Sequence, residues 1–354
     1  MTPSSDSTRI RGALFGLAAA LLFGMSAPAA KALLPEASPS ALAALLYLGA
    51  GGALSLGKVV RRNSSQDEPR LRRSDAPLLL GVILSGGMLG PLFMLVGLER
   101  VSAVSGSLLL NLEAPLTMVV AVLVFGEHLG RREVLAALAI CFGGAVLVRD
   151  AGGISGSAIG AAALVAACFC WALDNNLTQR LSLRDPVSVV QMKTLGAGIG
   201  NLALAFAVGA AFPRVELAVA TLVLGSLSYG LSIVLDTYAL RLVGAAREAA
   251  YFATAPFFGA LLAVAFLRES LGIAHLVAAV LMGVGLWLLL REKHEHLHDH
   301  EGLEHDHLHV HDEHHGHEHA DGQGSSEPHA HAHSHDGLRH AHPHVSDAHH
   351  RHRH

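Results

Sequence analysis

Polar and charged residues stand inside long apolar runs of this chain, and these are the places where chemistry is available. Asn111 and Glu113 lie two residues apart, just before Pro115. Asp174 and Asn175 close another apolar run, Lys193 sits early in the next, and Asp236 lies late in a third. Tyr251 and Thr254 precede Pro256. Proline frees a main-chain carbonyl one turn upstream, so both proline-adjacent clusters can add backbone oxygen to their side chains. A carboxylate withdrawn from water, as expected at Glu113, is a candidate proton or substrate site. Structural pairing with a neighbouring helix is the competing reading. Asp174, Lys193 and Asp236 suit a charged vestibule, or an acid–base pair that opens and closes. The competing reading is a static salt bridge, with Lys193 reaching the interface along its apolar stem. Tyr251 and Thr254 are candidate substrate contacts, with packing as the alternative.

A second chemistry lies at the C-terminus. Of the 25 histidines, all but His128 and His275 fall within residues 294–354. They alternate with other residues, as in HEHLHDH from residue 294. Neutral imidazole takes Zn²⁺, Ni²⁺ or Co²⁺, and neighbouring carboxylates add charge. The candidate ligands are His294, His296, His298, His300, His305, His307, His309, His311, His314, His315, His317 and His319. The tail is too poor in apolar residues to bury a core, so it is expected to be disordered. It can regulate, buffer or deliver metal; incidental affinity of a low-complexity tail is the plain alternative. No cofactor is required elsewhere. No Ser/His/Asp set and no glycine-rich phosphate loop is present, which argues against an enzyme, and nothing points to nucleic acid.

The elements that hold these residues are apolar. Hydrophobic residues make up 51% of the chain and charged ones 15%, too few to cover a soluble core of this size. Runs of roughly 20 apolar residues cross a bilayer as helices. Ten spans are predicted: 12–34, 40–60, 76–98, 102–126, 132–149, 156–178, 186–211, 216–240, 244–267 and 271–290. MSAPAAKA, at the end of the first, resembles a cleavage site, but the run before it is long and is read as a retained helix. The cysteines Cys141, Cys168 and Cys170 lie within spans and are read as reduced.

The chain also repeats itself. Leu98, Glu127, Leu129, Gly130 and Gly143 return 142 residues later as Leu240, Glu269, Leu271, Gly272 and Gly285. Pro115 returns as Pro256 with a slip of one. The organisation expected is a lead (1–11), a first five-helix repeat (12–149), a linker (150–155), a second repeat (156–290) and the tail (291–354). Five is odd, so the second repeat is inverted relative to the first, and inverted repeats allow each half to adopt the other's conformation. With the N-terminus in the cytoplasm, the inner links hold sixteen Lys and Arg and the outer ones five, which places both termini inside.

This paired pattern resembles the drug/metabolite transporter superfamily, specifically its EamA-type ten-helix permeases, over about residues 12–290. It rests on Leu98, Ala103, Pro115, Glu127, Leu129 and Gly143, then Leu240, Ala245, Pro256, Glu269, Leu271 and Gly285. Phe23-Gly24 and Trp171-Ala172 stand where such proteins often carry an aromatic and a small residue. The resemblance implies an all-α integral membrane protein, a small-molecule substrate, and often proton exchange. It implies a cavity lined by helices one, three, four, six, eight and nine. The expectation is a metabolite exporter, amino-acid-like or drug-like in substrate, in a bacterial inner membrane, with a metal-binding regulatory tail. Efflux of nickel, cobalt or zinc is the alternative within transport. A membrane-anchored metal sensor or store is the third reading; ten duplicated spans exceed what an anchor needs. Partners are the lipid bilayer, the substrate and divalent metal. Oligomeric state stays open, since one chain already holds both halves.

Overall fold

A computed structural model of the chain describes residues 5–60, 71–125, 129–150, 156–181, 184–243 and 245–290, together with four short strands of the tail. Among the described residues, ten helical passes follow one another. The first pass, α1, is Ser5–Gly24 continued by Ser26–Leu33. Next come α2 (Pro39–Val60) and α3, which is Ala76–Val82, a π turn Ile83–Leu89, and Gly90–Leu98. The fourth, α4, is Ala103–Leu109, a 3-10 turn Leu110–Leu112, and Glu113–Phe125. Then come α5 (Arg131–Asp150), α6 (Gly156–Gln179) and α7 (Pro186–Ala207). Helix α8 is Val215–Gly225, a π turn Ser226–Leu231, and Ser232–Val243. Helix α9 is Ala245–Phe252, a break, and Ala255–Leu267; α10 is Ile273–Leu290.

Nine passes among the described residues are long and apolar enough to cross a membrane. The other, α5, is a helix of similar length whose ends carry Arg131, Arg132, Glu133 and Arg149. Local chemistry sets several boundaries. Asp185 accepts the Val187 amide at 3.0 Å and Pro186 opens α7, an N-terminal signal in sequence and in space. The run predicted to 211 stops at Ala207, because Gly209 turns left-handed (φ 63°) and the Ala210 amide returns to Ala205 at 2.8 Å.

Within the tail, four short strands belong to the described residues. Strands β1 (His294–Asp299) and β4 (Arg339–His344) pair antiparallel, as do β2 (Glu304–His309) and β3 (His329–Ser334). The histidine alternation is a period-two pattern, which a ladder accepts without an apolar core. Of the candidate metal ligands, His300, His311, His314, His315, His317 and His319 lie outside the described residues, as does Glu127. The other six lie on β1 and β2, described by their backbone only.

Packing is mostly between halves. Helix α1 lies on α8 and α9, while α6 lies on α3 and α4; α2 meets α7, α5 meets α10, and α4 meets α9. Exchanging the halves maps this set of contacts onto itself, as a pseudo-two-fold axis demands. Irregular turns obey the same rule: the π turns of α3 and α8 stand at equivalent places, as do the breaks of α4 and α9 before Pro115 and Pro256.

The repeated glycines show why the symmetry is written into the sequence. A Cβ on Gly143 would lie 2.9 Å from Met282 and 3.0 Å from the Ala278 carbonyl. A Cβ on Gly285 would lie 2.6 Å from Ile140 and 2.8 Å from the Ala136 carbonyl. Each glycine thus lets the other helix approach at the mirrored place, the close contact that small residues permit in membranes. Gly285→Ala is expected to cost about 1–3 kcal/mol through forced separation of α5 and α10. Gly143→Ala should do the same to a smaller degree. Thermal unfolding in detergent checks this; a Gly285→Ala protein as stable as the parent would refute the packing argument.

Candidate functional site

The described links α1–α2 and α7–α8 meet where the Ser38 amide reaches the Ala211 carbonyl, and α3–α4 and α9–α10 meet where Glu269 reaches Ala103; this end of the bundle is here called distal. Between the halves, where α4 breaks, the structure brings together four of the residues singled out in the sequence. Asn175 on α6 donates its amide to Glu113 Oε1 at 2.7 Å. One residue away, the Asp174 carboxylate is paired with the Lys193 ammonium of α7. Asp174 is 3% exposed, and Thr178 Oγ1 donates to its second oxygen at 3.3 Å. One carboxylate is therefore neutralised by an ammonium, and the other is held by a neutral amide. The second can take up a proton or a cationic group without breaking the first pair.

The site is braced by the π turn of α3. An extra residue in a helical turn leaves carbonyls without their usual partners, and such turns gather at functional sites. Here the Gly86 carbonyl accepts from Trp171 Nε1 and from Tyr47 Oη, each at 3.0 Å. The Gly87 carbonyl accepts from the buried Asn201 amide at 3.2 Å. Gly86 has no room for a side chain, since a Cβ there would fall on the Asp174 carboxylate. The turn and the ion pair are thus packed as one unit.

Aromatic rings continue the site into the second half. Tyr47 stacks on Tyr229 at 5.3 Å, Phe23 meets Tyr229 edge-on at 5.7 Å, and Phe23 lies 5.1 Å from Phe252. Phe23 and Trp171, singled out as first-helix aromatics of the two halves, both belong to this wall.

The remaining sequence candidates sit elsewhere. Asn111 is buried and turns away from Glu113: its amide donates to the Leu108 carbonyl at 3.0 Å and points at Met282 Sδ of α10 at 3.7 Å. Tyr251 packs on α1, filling the space beside Gly16. Thr254 Oγ1 donates to the Tyr251 carbonyl at 2.5 Å, sealing the break in α9. The Asp236 carboxyl lies beside that of Glu248 across the α8–α9 junction, while Lys193 is paired with Asp174.

Sequence reasoning missed Glu248, Tyr47, Tyr229 and Gly86. Glu248 stands beside Arg247 at the start of the predicted span 244–267, from which an apolar run continues to Leu267. The adjacent glycines Gly86 and Gly87 are the sequence signal for the π turn of α3. The site is also one-sided: aligned on Pro115 and Pro256, the counterpart of Glu113 is Thr254, which carries no charge. Glu269, matched to the family's recurrent glutamate, spans the distal end by accepting the Ala103 and Val104 amides of α4, each at 2.8 Å.

Comparison with known proteins agrees with this two-part build. The model of the EamA-like transporter family matches residues 10–149 and again 158–291. An "Uncharacterized transporter" of Methanothermobacter thermautotrophicus is 29% identical over 300 residues, covering 79% of this chain and 86% of that protein. A crystal structure of a protein not further described has a TM-score of 0.59 at 21% identity, covering 79% of this chain and 97% of its own, a likeness of fold.

Proposed function

We propose a function from one premise: the chain belongs to the EamA-like transporter family. It is an integral membrane transporter, and it exports a small polar metabolite from a bacterial cell in exchange for protons. It does so from the inner membrane, with both termini in the cytoplasm, and it is not an enzyme. The observation that carries the reading is the Glu113–Asn175 contact at 2.7 Å beside the Asp174–Lys193 pair, at the break in α4 between the halves. Substrate sites of repeat transporters lie at broken helices between halves. Glu113 alternates between a proton and the basic group of the substrate. Lys193 receives an acidic group when its pair with Asp174 opens. The aromatic wall of Phe23, Tyr47 and Tyr229 takes the apolar part. A substrate with an amine and a carboxylate, amino-acid-like in outline, meets all three. Purified protein in proteoliposomes, loaded with a panel of labelled amino acids and amines, tests this: flux of none of them under a pH gradient would sink it.

The histidines argue for a role of the tail in the same protein. Imidazoles of residues 294–319 bind divalent metal and bias the transporter from its cytoplasmic side. Among the described residues, no group of three or more metal-ligating side chains occurs in the helices. This supports metal as regulator over metal as cargo. Removal of residues 294–354 is expected to leave organic flux within about twofold and to remove its response to added Zn²⁺ or Ni²⁺. Loss of all flux would count against a purely regulatory tail. Lowered cell nickel, cobalt or zinc on expression would favour metal efflux instead.

A further inference from the structure

The distal end is tied shut by side chains of the second half that hold the first turn of α4. Glu269 follows α9, and its two carboxylate oxygens accept from Ala103 N and Val104 N at 2.8 Å each. This is a charge-assisted, two-point cap on a helix of the other half. His275, at the start of α10, holds the same turn. Its Nδ1 accepts from the Gly272 amide at 3.1 Å, which leaves the Nε2 proton to bridge to Ser105 Oγ at 3.0 Å.

Two features make this more than an anchor. Arg268, the residue before Glu269, is left-handed (φ 56°), a strained conformation for a residue with a Cβ. The structure keeps that strain where Glu269 reaches across. The stretch so held, Ala103–Leu109, is set off from the rest of α4 by the 3-10 turn Leu110–Leu112. It can therefore move as a unit while Glu113–Phe125 stays in place.

We propose that Glu269 and His275 form a latch that closes the distal gate, and that its release lets Ala103–Leu109 swing away from the second half. The proposal rests on the transporter reading, under which the distal end is the outer face. Both are positioning residues, since neither touches the Glu113 cluster. Glu269 is the stronger, because a carboxylate holding two amides through two oxygens outweighs one imidazole on a hydroxyl.

A native thiol reports the motion. Cys168 Sγ is buried against the carbonyls of Leu109 and Leu110, at 3.6 and 3.8 Å, where the swinging stretch ends. In full-length protein carrying Cys141→Ser and Cys170→Ser, in sealed vesicles, a membrane-impermeant maleimide is applied from the distal side. Glu269→Ala is expected to speed labelling of Cys168 roughly tenfold, in line with loss of a charged helix cap. Glu269→Gln and His275→Ala should act in the same direction by smaller factors, which keeps the test open if Glu269→Ala does not fold. Hydrogen exchange over residues 99–109 is read in parallel. Faster exchange there with Cys168 still shielded in all three variants would mean a local cap and no gate, and would overturn the proposal. Absence of flux in the parent would instead strike at the transporter reading, since labelling needs no substrate.

Discussion

Glu113→Gln is expected to abolish substrate movement driven by a pH gradient while leaving exchange of labelled for unlabelled substrate measurable. Glutamine has the shape of glutamate and still offers an oxygen to the Asn175 amide, so the 2.7 Å contact can persist. What it lacks is a proton to bind and release. Gradient-driven flux should fall at least about a hundredfold, the scale on which a positioned proton-transfer group acts. Exchange at equal pH should fall far less. Proteoliposome assays with and without a gradient separate the two. Full gradient-driven flux in Glu113→Gln would remove the proton role and leave Glu113 as a structural partner of α6.

The Asp174–Lys193 pair yields the other large effect, and it discriminates a working pair from a static one. Asp174 is 3% exposed, so Lys193→Met leaves a buried carboxylate whose remaining described side-chain donor is Thr178. Breaking a buried pair from one side costs about 3–5 kcal/mol, whereas replacing both partners by neutral groups of similar size is often close to neutral. Lys193→Met should therefore lower the unfolding temperature strongly, and adding Asp174→Asn should restore much of it. Flux then decides the role. If the pair opens for substrate, the stable double variant stays inactive; if it only holds α6 to α7, flux returns with stability. A double variant no more stable than Lys193→Met would contradict the pairing itself.

Much of this architecture is legible in the sequence, and the reason is physical. Gly143 and Gly285 recur because each marks a place where two backbones nearly touch, and a repeated fold must repeat its close approaches. Charge at α5 and proline in α4 and α9 were equally legible, since lipid penalises exceptions to an apolar helix. The site was legible as ingredients and not as an arrangement. Glu113 and Asn175 meet across 62 residues, and no spacing rule links them. Asn111, two residues from Glu113, faces another helix because positions two apart lie about 200° apart around a helix. The Gly86 carbonyl escaped notice for a related reason: its importance comes from a backbone bond left unmade.

The mutual wrapping of α1 on α8 and α9, and of α6 on α3 and α4, bears on how the protein is made. The chain emerges from the ribosome in order, so the early passes enter the bilayer while the surfaces they will cover do not yet exist. They must dwell there with loose neighbours until translation reaches the later ones. The boundary near residue 150 divides an ancestral duplication, but it does not divide two units able to mature separately. A fragment ending there should be degraded in the cell unless the missing part is supplied in trans.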